Sequence, residues 1–280
     1  MMNFIKTTLL LVIMAALLIW IGGLIGGPRG AMVAFIFAIL LNGISYWYSD
    51  RIVLAMYRAK ELSRSDHPEI YNMVSELSRH AGIPCPKIYH NSLEVPNAFA
   101  TGRNPEHAVL CVTAGAMRLL DKRELRAVLS HEIGHVRNRD TLIMTVTAAL
   151  ASAIMMLAYM ARWGAILGGF SRNREDSGNL ISLLAISIVG PLAALLVQMA
   201  ISRSREYAAD AFGARISRDP GSLARALEDL SAYAKKSKFS AQPQTAHLFI
   251  VNPFSGGGIS NLFSTHPPVE ERVKRLRSMA

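Results

Sequence analysis

The segment His131-Glu132-Ile133-Gly134-His135 sets two imidazoles four residues apart, with a carboxylate next to the first. On a helix, positions i and i+4 share one face, so both rings can reach a single metal ion. Glu132 then projects beside the ion rather than onto it, where it can accept a proton from an attacking water. This is the chemistry of a zinc peptidase: ligands that leave one metal position open, and a base next to that position. A catalytic zinc takes three protein ligands, so a third must come from elsewhere in the chain.

The elements that must hold these residues are legible nearby. Asp121-Lys122-Arg123-Glu124 has the form of a capping box, with Asp121 as N-cap and Glu124 reaching back to it. Leu125, Val128 and Leu129 continue at helical spacing into His131. Gly134 departs from local preference, because a glycine inside a helix costs about 1 kcal/mol relative to alanine. It either leaves room for another element to approach the metal or serves close helix packing, and the two readings are compatible.

The chain has 280 residues, is 51% hydrophobic and carries a formal net charge of +10. The basic residues are separated by long uncharged runs. No charged residue lies between Lys6 and Arg29, nor within 30–49, 141–161 or 177–202. About 20 helical residues cross a hydrocarbon core near 30 Å thick, so about four membrane helices are expected. The first run lacks the short apolar region and small-residue cleavage site of a signal peptide, and a second run follows at once. An uncleaved hairpin is expected, turning at Gly26-Gly27-Pro28-Arg29-Gly30.

Lys and Arg set the orientation. Residues 50–140 hold 13 of them and the tail after Ser202 holds 12, against Arg29 alone in the first short loop and Arg162, Arg172 and Arg174 in the second. Basic residues stay cytoplasmic. The expected organisation is a membrane hairpin over 1–49 (spans near 7–27 and 31–49), a cytoplasmic part over 50–140 with the motif helix, a second hairpin over 141–201 (spans near 141–161 and 179–201), and a cytoplasmic part over 202–280. Both termini and the metal site then face the cytoplasm. The positive charge reads as a topology signal and a means of resting against anionic lipid. Nucleic acid is not an expected partner, since no binding motif accompanies the charge. Cys85 and Cys111 lack C-x-x-C spacing and read as core thiols in a reducing compartment.

The chain returns to the cytoplasmic side at Ser202-Arg203-Ser204-Arg205-Glu206-Tyr207-Ala208-Ala209-Asp210. A continuing helix puts Glu206 and Asp210 on one face, one turn apart. Glu206 is at the membrane depth of the third ligand, and Asp210 is placed to receive the second N–H of a ligating histidine. The alternative is that both acids pair with Arg203 and Arg205 on a solvated face. Asn97-Ala98-Phe99-Ala100 reads as part of a strand. It is either an ordinary hairpin strand or an exposed edge that holds an extended substrate by main-chain hydrogen bonds. Segments 87–90 and 108–113 also read as short strands, with Gly102-Arg103-Asn104-Pro105 as the turn before the latter. His266, fixed by two following prolines, is either a surface histidine or a donor to the developing oxyanion.

Taken together, the amino-terminal hairpin, Pro96-Asn97-Ala98-Phe99-Ala100, His131 to His135 followed by Asp140, Glu206 with Asp210, and Thr265-His266-Pro267-Pro268 with Arg272 resemble the HtpX-type membrane metallopeptidases, which are related to the CAAX prenyl endopeptidases. The resemblance covers essentially the whole chain. It implies a mainly α membrane protein with a small β-sheet and a zincin-like (gluzincin) catalytic domain, one Zn²⁺ per chain, and Glu206 as third ligand. It further implies a plasma (inner) membrane location and a role in quality control, with unfolded or membrane-protein substrates. Lipidated peptides remain an alternative substrate class, and homo-oligomerisation is left open.

Three rivals fare worse. A catalytically silent adaptor with structural zinc would need no base at Glu132 and would close all four metal positions. A transporter should carry charged residues within its apolar runs. A protease cutting inside the bilayer should have its metal motif in such a run, whereas Asp121, Lys122, Arg123, Glu124 and Arg126 precede His131. Leu223, Leu227 and Leu230 form the stripe of a soluble helix beginning near Ser222. The irregular 237–264 stretch is either a lid or a loop resting on lipid.

Overall fold

Residues 2–148, 150–151, 203–236, 248–251 and 267–280 are described by a computed structural model. In chain order the elements are α1 (Met2–Trp47), α2 (Ser49–Met56), β1 (Lys60–Glu61), α3 (Pro68–Ala81), β2 (Lys87–Asn91), β3 (Ala98–Thr101), β4 (Val109–Thr113), α4 (Ala114–Leu119), α5 (Lys122–Arg137), α6 (Arg203–Ser217), α7 (Pro220–Lys236) and α8 (Val269–Arg277). Residues 141–148 are helical as well. The result is a mostly helical protein with one small mixed sheet.

Helix α1 is not a straight rod. Its 46 residues would extend about 70 Å at 1.5 Å per residue, yet Asn42 Nδ2 donates to Leu11 O at 3.1 Å. Gly27 takes φ +59 immediately before Pro28, and the chain folds back there. A Cβ on Gly22 would sit 2.6 Å from Gly30 O, so small residues let the two arms meet. Gly27–Trp47 is the one stretch among the described residues long and apolar enough to cross a membrane, and 11% of its apolar window is buried. Phe35, Ile36, Ile39 and Leu40 point outward from it. The expected third run is described only through residue 151, and the fourth, 177–202, lies outside the described residues.

The sheet order is β1-β2-β4-β3, with β2 parallel to β4 and both β1 and β3 antiparallel to their neighbours. Two-residue alternation along β4 sends Leu110 and Val112 into one layer and Val109 and Cys111 into the other. The first layer is the main core, which β4 shares with α3, α5, α6, α7 and α8. The second is closed by Val53 and Leu54 of α2 and by Ile143, Met144 and Ala148. Strands β2, β3 and β4 therefore lie where the sequence places them, while β1 is too short to show a period. Leu223, Leu227 and Leu230 of α7 are buried as their spacing requires.

The cysteines divide. Cys111 is a core thiol, and burial pushes its pKa up to about 12. Cys85 is exposed, because it falls in the turn before β2, where no strand face carries it inward.

Candidate metal centre

Helix α5 starts as its sequence dictates. Asp121 Oδ1 accepts from the N–H groups of Arg123 (2.7 Å) and Glu124 (2.8 Å), and Glu124 Oε2 accepts from Asp121 N–H at 3.0 Å. Its end is equally defined. Arg139 adopts φ +58, the Arg139 N–H bonds to Val136 O at 3.1 Å, and the Asp140 N–H to His135 O at 2.9 Å. This is a Schellman turn, and it carries Asp140 back over the last turn of the helix. The Asp140 carboxylate accepts the Nδ1 proton of His135 at 3.1 Å. A carboxylate offers only acceptor oxygens, so the ring nitrogen facing it must be the donor.

Helix α6 packs closely on α5 through glycine. A Cβ on Gly213 would lie 2.8 Å from His131 N and 2.9 Å from His131 Cα, and one on Gly134 would meet Ala209 Cα at 3.3 Å. Ser130 Oγ donates to Gly213 O at 3.0 Å across the same seam. The two readings of Gly134 thus coincide: the helix it packs against is the one that carries Glu206. Glu206 and Asp210 are 3% and 4% exposed, which excludes a solvated face.

Three ligand atoms converge. His131 Nε2 and His135 Nε2 are 3.2 Å apart. Glu206 Oε1 lies 3.5 Å from His135 Nε2, and its Oε2 lies 3.9 Å from His131 Nε2. Ligand atoms about 2.05 Å from a tetrahedral zinc stand about 3.3 Å from one another, so the residues fit that ion. His131, His135 and Glu206 are the one such group of metal-ligating side chains among the described residues. Both Nδ1 atoms lie against carboxylates, so both Nε2 atoms turn toward one another and toward Glu206.

Two outer arms back the imidazoles. His131 Nδ1 is 2.9 Å from Asp210 Oδ1. Asp210 also accepts from Arg272 Nε at 2.8 Å and Nη2 at 2.7 Å. Burial opposes ionisation of Asp210, but the Arg272 guanidinium outweighs it and holds the carboxyl well below the usual range. On the other arm, Arg205 Nε lies 4.0 Å from Asp140 Oδ1. Burial disfavours the charged imidazole of His135, yet the Asp140 hydrogen bond and the negative charges of Glu206 and Glu132 raise its pKa to about 9. Glu132, Asp140, Glu206 and Asp210 are all buried. Arg205 and Arg272 stand against these carboxylates from the two sides of the cluster.

Glu132 stands outside the ligand cluster. Its Oε2 accepts from Ala100 N–H of β3 at 2.9 Å, and burial raises its pKa. Strand β3 is the sheet edge, as the sequence suggests, but it is not exposed: Ala98, Phe99, Ala100 and Thr101 are all buried. Asn97 is buried too, its side chain donating to Leu248 O and accepting from Ile250 N–H, both at 3.1 Å. Segment 248–251 covers the edge at Asn97, Glu132 occupies it at Ala100 and Thr145 at Thr101, so exposure is where the sequence expectation and the structure part. His266 lies outside the described residues, as does all of 237–264 except 248–251.

Two residues of the centre had no assigned role in the sequence reading. Asp140 had a usable signal, an acid just past a helix end that can only return through a left-handed residue. Arg272 had none in its local surroundings.

A sequence model described as peptidase family M48 matches residues 64–280. A protease HtpX homolog of Syntrophobacter fumaroxidans is 54% identical over 277 residues, 98% of each chain. One from Thermococcus kodakarensis is 51% identical over 98% of this chain and 95% of its own. A crystal structure of S. mikatae Ste24p is similar at 18% identity and a TM-score of 0.49, over 98% of this chain and 65% of that one. With a buried His-His-Glu cluster, an adjacent carboxylate and relatives matching nearly end to end, the chain belongs to peptidase family M48.

Proposed function

We propose that this chain is a zinc endopeptidase of the plasma (inner) membrane, with four membrane spans, a gluzincin-type catalytic domain, and its active site and both termini in the cytoplasm. Its substrates are unfolded segments of damaged membrane proteins. The observation that carries this reading is the convergence of both Nε2 atoms and the Glu206 carboxylate beside a buried acid that is not itself a ligand. Zn²⁺ held by His131, His135 and Glu206 supplies Lewis acidity at the scissile carbonyl and a water nucleophile at neutral pH.

The chain's own groups do the rest. Glu132 takes the proton of the attacking water at its carboxylate and passes it to the leaving amine. Asp210 and Asp140 hold the two imidazoles in the tautomer that presents Nε2. Ala100 N–H orients the Glu132 carboxylate, and the neighbouring main chain of Asn97–Phe99 is the candidate edge for an extended peptide. His266 is assigned as a donor to the developing oxyanion on its sequence context.

The test separates the base from the ligands. Glu132→Ala should retain zinc, measured by mass spectrometry, while casein hydrolysis drops by about 10²–10⁴-fold. Wild-type hydrolysis with zinc in place would remove Glu132 as the base. For topology, a reporter fused after Ala280 should be cytoplasmic and one inserted near Asn173 external.

A further inference from the structure

We propose that Arg272 is a positioning residue for the metal ligands, fixing Asp210 behind His131 and facing Glu206 from the same guanidinium. The proposal rests on the metal reading above. Arg272 directs its donors at two segments of chain, α6 and 248–251. Nε and Nη2 fork onto the two oxygens of Asp210 at 2.8 and 2.7 Å, Nη1 donates to Ile250 O at 2.7 Å, and Nη1 lies 3.7 Å from Glu206 Oε2. Its side chain is 0% exposed.

Each contact has a consequence for the ligands. A planar fork on both carboxylate oxygens fixes the plane of Asp210, not only its position. With that plane set, Oδ1 stays aimed at His131 Nδ1 at 2.9 Å. Glu206 and Asp210 are like charges one helical turn apart, an arrangement that by itself disfavours the helix carrying them. Arg272 stands against both. Attachment of α8 does not require a cation here, since Val273 and Leu276 already anchor that helix in the main core. Burying a guanidinium costs several kcal/mol unless it is fully paired, and the partners it finds are the groups that orient the centre.

The experiment uses the full chain in detergent. Zinc affinity is read by chelator competition, ligand geometry by the visible spectrum of the Co²⁺-loaded protein, and fold by the thermal midpoint of the metal-free form. Arg272→Met should weaken zinc binding about 10–100-fold, as expected when a supporting partner of a ligand is lost, and should shift the Co²⁺ bands. Arg272→Lys keeps the charge without the fork. It should recover part of the affinity but not the wild-type spectrum. Wild-type affinity and spectrum in both variants, whatever their thermal midpoints, would overturn the proposal and leave Arg272 a structural ion pair. If Arg272→Met does not fold, Arg272→Lys decides by the same two readouts. A wild-type chain that holds neither Zn²⁺ nor Co²⁺ fails differently: it sinks the metal reading itself.

Discussion

The two histidines of the centre are held by unequal means. Behind His135, the carboxylate comes from five residues away, set by the Schellman turn that ends the same helix. Its arginine stands off at 4.0 Å, and Arg205 Nη1 and Nη2 are buried without a hydrogen-bond partner among the described residues. Behind His131, the carboxylate comes from another helix and its arginine from a third, joined by two short charge-assisted bonds. One arm is built by local backbone geometry and needs little else. The other exists only when α5, α6 and α8 are assembled, and its arginine is forked directly onto its carboxylate. The long-range arm should therefore carry more of the stability, and the local arm should be more forgiving of change.

The sharpest way to break this comparison is to neutralise each carboxylate in turn. Asp210→Asn leaves the buried Arg272 without its partner and should cost about 3–5 kcal/mol. Asp140→Asn keeps an acceptor oxygen for His135, and Arg205 Nε stands 4.0 Å away, so about 1 kcal/mol is expected. Urea unfolding of the metal-free proteins would read both, and equal losses would erase the distinction. Acid titration sharpens the same point. The Asp210 pKa is depressed on folding, so its contribution is complete above the ordinary carboxylate value near 4 and is lost only as pH falls through the lower folded value. Wild-type stability should thus decline with acid below about pH 4 more steeply than that of Asp210→Asn.

A smaller effect probes the seam that brings Glu206 in. Gly213→Ala pushes a methyl against the His131 backbone and should cost about 1–3 kcal/mol, with weaker zinc retention. Gly134→Ala meets Ala209 at 3.3 Å, where slight movement suffices, and should cost less. If both variants bind zinc as the wild type does, close approach at these glycines is not what places the third ligand. The smallest effect belongs to the local arm. Arg139→Gly relieves a left-handed conformation unfavourable to side chains and should stabilise by up to about 1 kcal/mol, measured in the same assay. A loss would mean that the arginine side chain holds the turn.

What the amino-acid sequence determined is what short-range geometry dictates. The capping box at Asp121, the shared face of His131 and His135, and the alternation of β4 follow from fixed helical and strand periods acting over a few residues. Glu206 was reachable by an argument about where a polar segment follows the last uncharged run, because chain direction limits which segments can meet. Its alternative, a solvated pairing with Arg203 and Arg205, was settled only by burial. The tertiary structure alone decided the rest: that Arg272 locks Asp210 across 62 residues, that Ala100 N–H holds Glu132 across 32, and that 248–251 covers the strand edge at Asn97. No local preference marks these partners. Each owes its place to helices whose approach is set by side-chain volume, at Gly134 and Gly213 above all, and by the need to pair every charge once water has been excluded.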